Sequence, residues 1–97
     1  MKTRDEVIAI LRELKVETAP LFGVRRFGLF GSYARNEQSE RSDIDLLVEL
    51  ERPVPFSTFC RLEDLISQRM GVAVDMTTPD GLHPRIERRV LAEVVYV

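Results

Sequence analysis

The chain has 97 residues, 44% apolar and 31% charged, a balance that excludes a disordered segment and fits one small domain over residues 1–97. A net charge of −2 and a pI near 5.4 count against a general nucleic-acid binder, and the single cysteine, Cys60, excludes an internal disulfide or a Cys-based metal cluster. In the opening MKTRDEVIAILRELK the longest apolar run is VIAIL, too short for a signal core or a membrane span, so a reducing, cytoplasmic setting with no membrane partner is expected.

Thr3-Arg4-Asp5-Glu6 reads as a capping box, with a hydroxyl at the N-cap and a glutamate three residues on. Val7, Ile8, Leu11 and Leu14 follow at helical spacing, predicting a first helix over residues 4–18 that Pro20 and Gly23 end. VRRFGLF, residues 24–30, reads as a short strand and GSYARNEQSERS as a turn. Residues 43–50 form a second strand, stopped by Pro53 and Pro55, which have no N–H to give a ladder. A second helix fits residues 56–70, with Phe59, Leu62, Ile66 and Met70 as its stripe and Gly71 as its stop. VAVDMT, residues 72–77, is a third strand, and TPDGLHP a loop. Pro84 opens a third helix, whose first turn has no use for the missing N–H, and EVVYV closes as a last strand. The order α-β-β-α-β-α-β predicts a mixed sheet with helices packed on it, in the α/β (α+β) range.

Alternation along a strand sorts the side chains of the second and third strands. Ile44, Leu46, Val48 and Leu50 share a fully apolar face, which belongs under the helices. Asp43, Asp45, Leu47 and Glu49 share the other. In the third strand Val72, Val74 and Met76 are apolar, opposite Ala73, Asp75 and Thr77. If the two strands are neighbours, Asp75 stands beside Asp43 and Asp45. Converging carboxylates resist ionising together, and a divalent cation relieves them. An all-oxygen set suits Mg²⁺ or Mn²⁺. One acid near a strand end is ordinarily just solvated; three on the non-core faces of two strands point to a site.

Gly31 follows the first strand, and Ser32 is placed to cap a short helix through YAR. Outward backbone N–H groups with a hydroxyl beside them form an anion cradle, and Gly31 lets a phosphate approach closely. Alone, such a turn is more often only a turn. Beside a carboxylate metal site it describes phosphoryl transfer. The lone His83 reads as solvated, Arg85, Arg88 and Arg89 as a solvated face of the last helix, and Tyr33 and Tyr96 as packing residues.

Gly31-Ser32, ten residues, then Asp43-x-Asp45, with a downstream VD at 74–75, resembles the signature of the polymerase-β-like nucleotidyltransferase superfamily. GSYAR…SDIDLLVE, with LEDLISQRMGVAVDMTTPDGLHPRIERRVLAEVVYV downstream of it, is similar to the minimal nucleotidyltransferase (MNT) branch, and the similarity covers roughly residues 5–97. The resemblance implies an antitoxin of a type VII-like HEPN/MNT pair, a Mg²⁺-dependent enzyme that transfers AMP from ATP to a tyrosine of a partner HEPN ribonuclease toxin. It implies that Gly31 and Ser32 hold the triphosphate and that Arg35 contacts phosphate. Asp43 and Asp45 would ligate two Mg²⁺ ions, and Asp75 would complete the metal site and help deprotonate the incoming hydroxyl. It implies a hetero-oligomer with the toxin and no direct nucleic-acid partner. Position 36, often Gly in this family, is Asn here, a residue that tolerates a left-handed backbone. The alternative is a non-catalytic nucleotide-binding module that neutralises its partner by contact. Transfer to a small molecule, the third reading, usually requires an additional helical domain to hold the acceptor.

Overall fold

Thr3 Oγ1 accepts the Glu6 N–H at 3.1 Å while Glu6 Oε1 accepts the Thr3 N–H at 3.1 Å, so the predicted capping box opens the first helix. The computed structural model describes all 97 residues. Their order is α1 (Arg4–Phe22), β1 (Val24–Phe30), α2 (Gly31–Ala34), β2 (Ile44–Leu50), α3 (Phe56–Met70), β3 (Val74–Thr77), a 3₁₀ turn (Pro79–Gly81), α4 (Pro84–Glu93) and β4 (Val95–Tyr96). No helix is long and apolar enough to cross a membrane.

α1 outlasts its predicted end. Pro20 sits inside it, and the helix stops only at Gly23, in the left-handed conformation at φ 72°. Pro20 removes one N–H, the donor that would have served the Val16 carbonyl four residues back. Val16 is exposed, so water can take that carbonyl's bond. The remaining boundaries fall close to expectation, apart from β3, which starts at Val74 rather than residue 72, and the last strand, which shrinks from EVVYV to Val95–Tyr96 because Glu93 still belongs to α4.

The four strands form one mixed sheet in the order β3-β2-β1-β4. β1 runs antiparallel to both β2 and β4, and β2 and β3 are parallel. One face carries the main core. Val7, Leu11 and Leu14 of α1 and Leu62, Ile66 and Met70 of α3 pack there on Phe27, Leu29, Ile44, Leu46 and Val48. A register irregularity between Val24 and Arg26 lets Val24 and Phe27 both face inward despite their odd spacing.

The opposite face is not bare. Leu47, Leu82 and Val90 form a second, smaller core with Phe30 packed against it, so α4 lies across the face that bears the acids. Gly28 allows the C-terminal segment to come close, since a Cβ there would lie 2.6 Å from Val94 Cγ2. Arg4 Nη1 donates to the Ala34 carbonyl at 3.2 Å and ties the start of α1 to the end of α2.

Candidate active site

β2 is the element that assembles the site, because it is hydrogen-bonded to a different strand on each side. Asp45 pairs with Phe30 of β1 on one side and with Asp75 of β3 on the other. Parallel neighbours in register bring the Asp45 and Asp75 side chains onto the same face of the sheet. Asp45 is half-buried and Asp75 is exposed. Asp43 lies one residue before β2 and is also exposed.

These acids sense one another. Burial pushes the Asp45 carboxyl up to about 6, and the carboxylates of Asp75 and then Asp43 push in the same direction, while Arg35 pulls against them. No three carboxyl, imidazole or thiol groups are gathered into a ready-made cage. The donors are all oxygen and short of positive charge, which fits a hard divalent cation such as Mg²⁺ and not zinc.

The turn after β1 is built against the same aspartate. Gly31 adopts φ 75°, and a Cβ on it would fall on Asp45 Oδ2. Glycine is therefore required twice over, for its backbone and for its missing side chain. Ser32 is not the cap that the sequence suggested. Phe30 occupies the N-cap of α2, and Ser32 sits inside the first turn with its hydroxyl excused from capping. Asn36 takes the left-handed conformation at φ 59°. Glu37 N–H then donates to the Ser32 carbonyl at 2.9 Å, closing the loop back on the turn.

Gly31, Ser32, Arg35, Asp45 and Asp75 line one open cleft of about 500 Å³. Asp43 does not line it and acts on it through Asp45. The far wall is α4 and the segment before it, including Leu82, His83, Ile86, Arg89 and Glu93. His83 caps α4, its Nδ1 accepting the Arg85 N–H at 3.1 Å. Of the three arginines on that helix only Arg89 reaches the cleft. Tyr33 is 1% exposed and packed in the main core, and the Tyr96 ring lies under the Arg26 guanidinium at 3.6 Å.

Glu93 is the residue that sequence reasoning passed over. Its Oε2 accepts from Arg35 Nη1 at 2.7 Å. The only signal for it in the sequence is a carboxylate four residues after Arg89. A second cleft of about 400 Å³, between Arg25, Phe59 and Pro79, holds none of the predicted site residues.

The chain is similar to known proteins over nearly its whole length. The nucleotidyltransferase domain family matches residues 7–97. The protein adenylyltransferase MntA of Thermococcus cleftensis is 41% identical over 97 residues, covering 100% of this chain and 98% of that protein. A solved chain described as a minimal nucleotidyltransferase superposes with a TM-score of 0.79 at 34% identity, over 97% of this chain and 95% of that one. The complex of a tri-AMPylated Shewanella oneidensis HEPN toxin with an MNT antitoxin contains the same fold. Its TM-score is 0.61 at 17% identity, over 96% of this chain and 66% of that one.

Proposed function

The chain belongs to the nucleotidyltransferase domain family, and from that premise we propose that residues 1–97 act as one antitoxin domain that moves AMP from ATP onto a tyrosine hydroxyl of a HEPN-type toxin. One observation carries the reading: Asp45 and Asp75 are paired across β2 and β3 in the cleft that also holds Gly31 and Ser32. The likeness to a named protein adenylyltransferase, and to an MNT antitoxin found with an AMPylated toxin, supports the choice of nucleotide and acceptor. A cytoplasmic setting goes with such a partner.

In this reaction the acceptor oxygen forms a bond to the α-phosphorus, and the bond from that phosphorus to the bridging oxygen breaks. Pyrophosphate leaves, and the hydroxyl proton must be taken up. Gly31 lets the turn lie directly against the Asp45 carboxylate, so that phosphates held by the turn would sit beside the acids. Ser32 offers its hydroxyl there, and Arg35 its guanidinium. Asp43, Asp45 and Asp75 would hold two Mg²⁺ ions. Bound magnesium supplies positive charge to the phosphates and makes the attacking hydroxyl more acidic. Asp75, exposed on the open side of the cleft, faces the arriving acceptor and helps to draw off its proton.

ATP labelled at the α-phosphate tests the proposal with the toxin as acceptor. Label at the α-position is expected to remain on the toxin, and label at the γ-position is not. Asp45→Asn should lower the transfer rate on the order of 10³-fold while the fold survives. A tight complex with no transfer of either label would instead identify a contact antitoxin.

A further inference from the structure

Glu93 is the last residue of α4, and that helix has no basic residue in its final turn. A carboxylate there meets the negative end of the helix dipole, an unfavourable place for it. Yet the Glu93 side chain is only 15% exposed. Its Oε2 accepts from Arg35 Nη1 at 2.7 Å, and its Oε1 lies 4.0 Å from Arg89 Nε. All three residues line the cleft with Gly31, Ser32, Asp45 and Asp75.

Arg35 is the residue that follows α2, so its backbone is fixed at the end of the turn. Its Nε donates to Glu37 Oε1 at 3.3 Å and its Nη1 to Glu93, leaving Nη2 with no protein partner. Glu37 is well exposed, so its hold is loose, whereas Glu93 is enclosed. A guanidinium anchored at both Nε and Nη1 keeps its plane while Nη2 stays free to meet an anion.

The geometry points to Glu93 as a positioning residue for nucleotide binding: its ion pair fixes the Arg35 fork beside the Gly31–Ser32 turn, ready for the phosphates of a nucleoside triphosphate. This rests on the reading of the cleft as an ATP site. It also explains why a helix end carries the wrong charge, and it makes α4 part of nucleotide recognition although no α4 residue belongs to the Gly-Ser or Asp-x-Asp motif.

The test is a double-substitution cycle read as KM for ATP and kcat. Glu93→Ala should raise KM about five- to tenfold, the scale of one ordered charge-assisted contact, with kcat within about twofold. Glu93→Gln, which keeps an acceptor oxygen of the same reach, should recover most of the loss. Arg35→Ala should raise KM, and adding Glu93→Ala to it should change nothing further. If Glu93→Ala does not fold, the same cycle run with Glu93→Met, which fills the same space without an acceptor oxygen, gives the coupling. A KM that is unmoved or lowered by Glu93→Ala, or effects of the two substitutions that simply add, would overturn the inference. A wild-type chain that neither binds nor uses ATP would remove the nucleotide reading and this inference together. Wild-type turnover with an indifferent Glu93→Ala would remove this inference alone.

Discussion

Asp45 is the point at which fold and chemistry pull against each other. The folded state holds its carboxyl up to about 6, against an ordinary value of 3.8, first by burial and then by the charges of Asp75 and Asp43. Between those two values the native state binds more protons than the unfolded chain, so Asp45 makes stability fall as pH rises, and the penalty is complete above the folded value. Glu6 and Glu17 work the other way, held low respectively by hydrogen bonds from Thr3 and from Arg69. They are unchanged in Asp45→Asn, so the difference between the two proteins isolates Asp45. In chelator, Asp45→Asn should gain stability over wild type as pH goes from 5 to 7.5. After discounting for partial exposure, the gain is on the order of 1 kcal/mol, a few degrees in Tm. Thermal melts at the two pH values check this; a constant gap would mean that the carboxyl titrates in its ordinary range.

α4 is the weakly held element, and the one that completes the cleft. Val90 is its only buried residue, and it rests on Leu47 and Leu82, apart from the main core. An element with so little buried apolar area opens at low cost. Leu47→Ala should cost about 2–3 kcal/mol, near the lower end for a buried leucine because the small cluster can partly collapse. It should also raise KM for ATP, since Glu93 and Arg89 ride on α4. Leu62→Ala, in the core on the other face, should cost at least as much stability and leave KM alone. Denaturant melts read beside ATP titrations separate the two. Alternation along β2 assigned Leu47 to the acidic face correctly, yet nothing in that pattern announces a helix arriving from far along the chain to bury it.

At the scale of the molecule, the core and the site occupy opposite faces of the same sheet. The main core of 16 buried residues contains none of the acids, so the fold is expected to form without a metal. EDTA should therefore abolish transfer while leaving far-UV circular dichroism and a single cooperative unfolding transition unchanged at pH 7. A chelator-treated chain that unfolds would show that a cation holds the structure together. Placing the acids away from the core also leaves them facing outward, where a protein acceptor can reach Asp75.

Much of this was legible one residue at a time, because it depends on local physics. The capping box, the helical stripes of α1 and α3, the alternation of β2 and the stop at Gly71 are all short-range rules written in adjacent residues. Asn36 was read, through the family's usual glycine there, only as tolerating a left-handed backbone, and it takes φ 59°. The sequence by itself determined the mixed α/β class and the list of candidate acids. Only the tertiary structure decided that β2 and β3 lie side by side in register, which turns two distant aspartates into neighbours. Only it could reveal that Gly31 makes room for Asp45, or that Glu93 holds Arg35 from 58 residues away. Those contacts join residues with no periodic relation along the chain, and pairing across that distance is set by how the whole sheet and its covering helices pack.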